Sequence, residues 1–272
     1  MFFRSVRKSP ESVRASVVRS DSGVVVRIGS REFSIGGKEI SNRLEIADFA
    51  LYGLAAVGMS HDLEIVFDGP VTSSALAQVD AFGEIWALWR TRAPRSLHPL
   101  RLTATEIVSD PPATGLAGGM LCLSGGVDST YAALTAPPES PFACGMLIAG
   151  ADYASEGDTR FRALEQRVRW LADRLDLELR TIATDIRRLK IEYRMLHPLV
   201  LAMALHFASD EFSHGGFAAD YTARQEHHVH PWGNNAIVAA TLATDRFPIL
   251  HLGGTAGRSA KDRYGEYHEA RG

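Results

Sequence analysis

The chain has 272 residues, of which 46% are hydrophobic and 22% charged, and its formal net charge at pH 7 is −3. This length supports one large or two modest domains with a substantial core. Cys122 and Cys144 are the only cysteines and fall in predicted buried strands, so neither a disulfide framework nor a cysteine zinc site is expected. No apolar run reaches membrane-spanning length and the start lacks a secretory h-region, which predicts a cytoplasmic protein without a membrane partner.

The first part of the chain mixes short alternating segments with two helical ones. Its periodicity and turn residues predict strands over residues 15–19, 23–28, 31–35 and 63–67, and helices over residues 42–59 and 73–89. This pattern is typical of a small α+β module, whose role the sequence does not indicate. A stretch rich in proline and glycine, from Ser109 to Gly119, then predicts a domain boundary. We therefore predict two domains, residues 1–112 and residues 113–272.

Basic residues crowd the start of the chain against few acids: Arg4, Arg7, Lys8, Arg14, Arg19, Arg27 and Arg31. A basic region of this kind is able to contact RNA. Solvated faces of short strands are the simpler explanation, because no aromatic stacking residues are interleaved and the whole chain is slightly acidic. RNA contact through this region is kept as an alternative.

After the boundary, predicted strands and helices alternate. Strands are expected over residues 120–123, 142–148, 178–183, 212–218 and 248–252, and helices over 129–134, 159–175, a stretch opening near 198, and 234–244. This rhythm predicts an α/β fold with a doubly wound parallel sheet, preceded by the smaller α+β domain. Ligands in such sheets bind at the carboxyl ends of the strands.

Six residues lie between the first of these strands and the helix after it: Ser124, Gly125, Gly126, Val127, Asp128 and Ser129. Two adjacent glycines can take positive φ values, so backbone N–H groups turn inward as an anion cradle, and the helix points its positive end into it. Asp128 would repel phosphates unless a cation lies between, which predicts bound Mg²⁺. The lysine-containing phosphate loop and the dinucleotide glycine motif are both absent.

The string Ser-Gly-Gly-x-Asp-Ser on a strand-to-helix turn resembles the loop of the PP-loop ATP pyrophosphatases of the adenine-nucleotide alpha-hydrolase superfamily. The resemblance implies ATP and Mg²⁺ as cofactors, cleavage between the α and β phosphates, transfer of AMP to a substrate oxygen, and release of pyrophosphate. It also implies that basic residues late in the fold contact the β and γ phosphates. Arg258 and Lys261 match that expectation, being three residues apart on a predicted helical turn. A solvated C-terminal turn is the alternative.

Asp220 and Tyr221 end another predicted strand, after a glycine pair. This segment resembles the substrate-binding Asp-Tyr of the queuosine-precursor (7-cyano-7-deazaguanine) synthases, which implies that both residues contact substrate. The likeness then stops, because those enzymes continue into cysteines that hold zinc, whereas this chain continues with Glu226 and three histidines. No zinc is therefore expected, and Asp220 as a loop cap is the alternative.

The three histidines are His227, His228 and His230. Adjacent histidines on a strand point to opposite faces and Glu226 is the only close carboxylate, so a dedicated metal site is disfavoured. A polar loop that contacts substrate is the preferred interpretation, and Asn234 or Asn235 is expected to cap the next helix.

These features predict an ATP-dependent, AMP-forming ligase or synthase. It would adenylate a carboxylate or carbonyl oxygen and then transfer the activated group to an amine or ammonia, with AMP as the leaving group. Mg²⁺ and fixed cations such as Lys261 would stabilise the departing pyrophosphate. The acceptor is expected to be a small molecule or a carrier-bound group. Two alternatives stay open: a tRNA-modifying enzyme of the lysidine or thiolation type, and a module that binds nucleotide without cleaving it. The sequence does not indicate the oligomeric state.

Overall fold

A computed structural model describes residues 9–21, 23–38, 40, 45–89, 97–112, 118–151, 157–228, 232–257, 260 and 261. The strands are β1 (Glu11–Ser20), β2 (Gly23–Ile28), β3 (Arg31–Gly36), β4 (Leu63–Thr72), β5 (Leu102–Val108), β6 (Gly119–Cys122), β7 (Phe142–Ala149), β8 (Glu178–Thr184), β9 (Gly215–Ala218) and β10 (Ile249–Leu252). The α-helices are α1 (Asp48–His61), α2 (Ser73–Leu88), α3 (Val127–Leu134), α4 (Thr159–Arg174), α5 (Tyr193–Phe207), α6 (Ala223–His228) and α7 (Ala236–Ala239). A short 3-10 helix spans Ile186–Leu189.

All ten strands join one mixed sheet in the order β10-β9-β6-β7-β8-β3-β2-β1-β4-β5. The five strands from β10 to β8 are mutually parallel, whereas β3 pairs antiparallel with β8, and β2 pairs antiparallel with β3 and β1. The protein is therefore α/β with mostly parallel strand pairs, as predicted. The strand order reverses at β6, which lies between β7 and β9. A crevice outside the carboxyl ends of these strands is the usual ligand position in such sheets.

Helices cover both faces of the sheet around β7. Leu147 and Ala149 of this strand share an apolar cluster with Phe161 and Val168 of α4. Cys144, Met146 and Ile148, which alternate with these residues along β7, instead join the larger core that contains α5. This alternation follows from the two-residue period of a strand. It also explains why the sequence of β7 is apolar almost throughout, since a central parallel strand is buried on both faces.

The two predicted domains contribute to the same sheet. Ile35 of β3 pairs with Thr184 of β8, and the Thr184 hydroxyl donates to the carbonyl of Ser34 at 2.7 Å. The backbone N–H of Ser34 donates to Oδ1 of Asp185 at 2.6 Å. Helix α1 lies against α5. The predicted boundary at 112/113 falls between β5 and β6 and stays a prediction.

Several elements differ from the sequence prediction. Strand β5 was not predicted, residues 223–228 form α6 where a polar loop was expected, and α7 is much shorter than the predicted helix over 234–244. Helix α5 begins at Tyr193, so Pro198 lies inside the helix instead of opening it. In the part of the chain that the structure describes, no helix has the length and apolar character to cross a membrane.

Candidate active site at the carboxyl ends of β6, β7 and β9

The loop after β6 is built as an anion cradle. Gly125 has φ +69°, the left-handed region, and a Cβ at this position would lie 2.9 Å from Cγ2 of Val168. Gly126 is extended and precedes the first residue of α3, and the first helical bond runs from the N–H of Thr130 to its carbonyl at 2.9 Å. The N–H groups of the first helical turn have no acceptor within the helix. They and the helix dipole are therefore suited to bind an anion.

Two serines fix the shape of this loop. The Oγ atoms of Ser124 and Ser129 are 3.2 Å apart, and the Ser129 hydroxyl donates to the Gly126 carbonyl at 3.0 Å. Ser129 is buried, whereas Ser124 is exposed at the mouth of the loop. The second serine of the motif thus holds the backbone turn, while the first is exposed and lines the neighbouring cavity.

Asp128 and Lys261 form an ion pair across the fold. The Lys261 ammonium lies 2.8 Å from Oδ1 of Asp128 and donates to the carbonyl of Ala219, just after β9, at 2.6 Å. The Lys261 side chain is fully buried and that of Asp128 is 19% exposed. The ring of Tyr131 lies 5.9 Å from the same ammonium. Lys261 therefore joins the segment after β10 to the start of α3 and to the end of β9.

Lys261 was predicted to lie beside a leaving pyrophosphate. The structure places its ammonium 2.8 Å from the carboxylate of Asp128, which brings these two predicted residues together. Arg258, predicted to point the same way, lies outside the described residues.

A cavity of about 600 Å³ opens beside the loop. Its wall is formed by the loop, the ends of three strands and one side of α5, including Ser124, Gly126, Val127, Asp128, Ser129, Met146, Ile148, Ala218, Asp220, Tyr193, Arg194, His197 and Trp232. The strand ends are those of β6, β7 and β9, so the cavity occupies the place where the strand order reverses. A volume of this size is typical of small-molecule and cofactor sites.

Asp220 follows β9 and also lines this cavity. Its Oδ2 accepts a 2.6 Å hydrogen bond from the indole Nε1 of Trp232, and the Tyr221 ring packs edge-on against the same indole, with centroids 6.5 Å apart. The prediction that Asp220 caps a loop and the prediction that it contacts substrate are compatible with this position. Tyr221 is not in the wall of the cavity, and its ring contacts Trp232, which is.

The α5 side of the cavity was not predicted from the sequence. The guanidinium of Arg194 lies 5.1 Å from the Trp232 ring centre, and that of Arg187 lies 4.4 Å from the Tyr193 ring centre. His197 lies between the two aromatic rings, with ring centroids 5.9 Å from each. The wall therefore combines flat apolar surfaces with positive charge.

Pro198 orients part of this wall. A proline has no N–H, so it cannot donate to the carbonyl of Arg194 four residues earlier. Nδ1 of His197 lies 3.2 Å from that carbonyl, which assigns the ring proton to Nδ1. The sequence signal for this wall was Tyr193, Arg194 and His197 within the five residues before Pro198.

The asparagine pair serves two different purposes. Oδ1 of Asn235 accepts from the N–H groups of Ile237 and Val238, so Asn235 is the cap of α7. Asn234 instead donates to the carbonyl of Ala218 at 2.9 Å and lies 2.8 Å from Nε2 of His251. Asn234 is buried and lines the cavity, which makes it a support for the end of β9.

The structure does not test whether the three histidines bind a metal. His227 and His228 end α6, but their side chains and the whole of His230 lie outside the described residues. Oε2 of Glu226, the nearby carboxylate, accepts from the N–H of Ala236 at 2.9 Å. Among the described residues no group of three histidine, cysteine, aspartate or glutamate side chains is arranged to hold a metal ion.

The two carboxylates of the cavity nevertheless suit Mg²⁺ that binds together with phosphates. Mg²⁺ is usually bound by one or two carboxylates together with substrate phosphates, and not by an all-protein cage. Asp128 and Asp220 both line the cavity. Burial raises the pKa of the nearby Cys122 thiol far above its ordinary value, so this sulfur is a neutral apolar group.

The chain matches no protein-family model, no curated protein and no solved structure.

Proposed function

We propose that this protein is an ATP pyrophosphatase of the PP-loop type, which adenylates an acceptor and releases pyrophosphate. The observation that carries the proposal is the position of the Ser124–Ser129 loop. It joins β6 to α3 at the point where the strand order reverses, and it opens into a cavity large enough for a nucleotide. Helices on both faces of β7 support a doubly wound arrangement of the strands from β6 to β10.

ATP is proposed to bind with its phosphates on the loop. The left-handed Gly125 and the N–H groups at the start of α3 provide donors for phosphate oxygens. Asp128 and Asp220 would hold Mg²⁺ on the phosphate side, where the ion neutralises charge that develops on the departing pyrophosphate. The adenine would lie toward the ends of β6 and β7, where Met146 and Ile148 give an apolar wall.

Lys261 is proposed to change partners during this process. In the described structure its ammonium compensates the charge of Asp128 at 2.8 Å. A bound cation would reduce that demand and leave the ammonium beside newly arrived phosphate oxygens. A fixed ammonium there would stabilise the negative charge that develops on the departing pyrophosphate.

The acceptor is proposed to bind between the loop and α5. Arg187 and Arg194 place positive charge along this wall, and the rings of Tyr193 and Trp232 give it flat surfaces. This combination suits an acceptor that carries a carboxylate, the group that adenylation activates. His197 lies in the same wall, within reach of a proton released by an attacking amine.

The test is isotope exchange between labelled pyrophosphate and ATP, run with Mg²⁺ and pools of carboxylate acceptors, including tRNA as a separate arm. Asp128→Asn should abolish exchange and also lower stability, because it leaves the buried Lys261 ammonium without its counter-charge, so exchange is compared under conditions where circular dichroism shows the variant folded. Glu64→Gln, which changes an exposed carboxylate on β4, should leave exchange unchanged. Exchange that survived Asp128→Asn would contradict the proposal.

A second candidate is a module that binds nucleotide without cleaving it. The Lys261 ion pair favours it, because Asp128 already has a protein partner and needs no metal to balance its charge. In that case ATP would bind with equal affinity in the presence and absence of Mg²⁺, and no acceptor pool would yield AMP or pyrophosphate.

A further inference from the structure

A second cavity lies behind the phosphate loop, between α3 and α4. Its volume is about 470 Å³, and its lining consists of Gly125, Thr130, Ala163, Leu164, Gln166, Arg167, Trp170 and Leu171. Gly125 is the one loop residue in this lining, so the cavity borders the loop from the side opposite to β9. None of the proposed ATP chemistry uses it.

Helix α4 presents a basic and aromatic stripe along this cavity. The helix contains five arginines and two acidic residues, giving a net charge of +3 on a chain whose net charge is −3. Arg167, Trp170 and Arg174 are spaced by three and four residues, so they lie on one face. The buried residues Phe161 and Val168 lie on the opposite face, against the sheet.

Trp170 is the most informative residue of this stripe. It is 56% exposed, although a tryptophan side chain that serves only packing is normally well covered. The guanidinium of Arg174 lies 4.8 Å from its ring centre, so a cation already stacks on the indole. Arg167 stands one turn earlier, at the edge of the cavity.

We propose that α4 and the cavity behind the loop bind single-stranded nucleic acid, with a base stacked against Trp170 and phosphates on Arg167 and Arg174. Aromatic stacking beside a row of cations is the way proteins bind unpaired strands. A duplex keeps its bases stacked within the helix, so it would leave the exposed indole without a partner. An acidic peptide would satisfy the arginines but gives no reason for an exposed aromatic ring beside a cavity of base size.

This proposal goes beyond the ATP reaction and does not require it. Binding is to be measured without nucleotide, by fluorescence anisotropy of a labelled 12-nucleotide oligouridine, with the matching DNA strand as a second arm. The tighter arm identifies the sugar that the site prefers, and binding of either strand supports the proposal.

Two variants separate stacking from charge. Trp170→Ala should weaken binding about tenfold, the usual effect of losing one stacked base, without changing the salt dependence. Arg167→Ala combined with Arg174→Ala should weaken binding and lower the slope of log affinity against log salt by about 1.4, since each single-strand phosphate contact contributes about 0.7.

The matched control is Arg14→Ala combined with Arg19→Ala, which removes the same charge from exposed positions on β1. It should bind as the unmodified chain does. An equal loss in this control would move the contact to the basic N-terminal region and overturn the proposal. So would undetectable binding of both strands, or a 12-residue polyglutamate that bound as tightly as they do.

Discussion

The ammonium of Lys261 lies 2.8 Å from the carboxylate of Asp128, although 133 residues separate them in the chain. Two segments that meet only in the folded protein thereby share one charge pair at the mouth of the phosphate loop. A change in the charge around Asp128, which lines the cavity, should therefore also change the stability of the fold.

Replacing Lys261 with methionine should lower the free energy of unfolding by about 2 kcal/mol. A buried ion pair that loses one partner leaves an uncompensated charge, and the cost is below that of a fully enclosed pair because Asp128 borders the cavity. Urea denaturation measures the change. The double variant Asp128→Asn with Lys261→Met should lose clearly less than the sum of the two single losses, and strict additivity would show that the pair contributes no coupling.

Gly125→Ala should destabilise the protein by about 1–2 kcal/mol, the usual cost of the left-handed region for a residue with a Cβ. It should also weaken ATP binding in a titration, because the loop must shift to relieve the 2.9 Å contact with Val168. Gly126→Ala is the control. Its φ is negative, and the added Cβ would meet Oγ of Ser124 at 3.4 Å, so this variant should fold normally. Equal losses in the two variants would contradict this account.

The two neighbouring asparagines should respond differently to substitution. Asn235→Ala should cost about 1 kcal/mol as a lost helix cap, and Asn235→Ser should recover most of it. Asn234→Ala should cost roughly 1–3 kcal/mol, because the carbonyl of Ala218 and the ring of His251 lose a buried partner. Thermal unfolding measures these changes. Serine is too short to restore both hydrogen bonds of Asn234, so a recovery of stability in Asn234→Ser would disprove the supporting role of Asn234.

Stability should fall as the pH drops from 6.5 toward 4. Burial, reinforced by the positive charge of Arg246, lowers the pKa of His206 to about 4. Between these two pH values His206 binds a proton in the unfolded chain but not in the folded one. Its contribution to stability is therefore full above pH 6.5 and decreases by roughly 3 kcal/mol on acidification toward pH 4. Burial also lowers the pKa of His251 to about 4, with Lys261 adding to the effect.

The variant His206→Gln tests this dependence. It should lower stability at pH 7, where Nε2 of His206 lies 2.8 Å from the carbonyl of Leu242. It should also remove about half of the acid-dependent loss seen in urea titrations, and His251 would account for much of the rest. A pH profile identical to that of the unmodified chain would rule out His206 as a source.

The local parts of the site follow from the sequence. A short apolar run before Ser124 and a helix-forming run after it predicted the turn, and the structure places the loop between β6 and α3. Glycine tolerates the positive φ that a tight turn requires and that other residues disfavour, so a glycine pair between a strand and a helix indicates a turn without reference to distant contacts. Most strands after the boundary were predicted for a similar reason, since their apolar runs are short and bounded by turn residues.

The parts of the fold and the site that depend on contacts between distant residues do not follow from the sequence. Ile35 pairs with Thr184 across 149 positions, and no local pattern in β3 indicates that partner. Strand β5 escaped prediction because it is an edge strand with mostly exposed residues, including Ile107. The aromatic and cationic wall of α5 escaped because Pro198 suggested a helix start five residues too late.

Helix α1 has a consequence for how this chain can be divided. Twelve of its fourteen residues are buried, as expected for a helix that is apolar on all sides and packed within a core. One of its neighbours is α5, which also forms a wall of the candidate site. A recombination event that transferred residues 113–272 alone would expose the apolar face of α5 to water and favour aggregation. Residues 113–272 are therefore not expected to fold as an independent unit, and gene fusions or shuffled variants that keep them soluble should also keep α1.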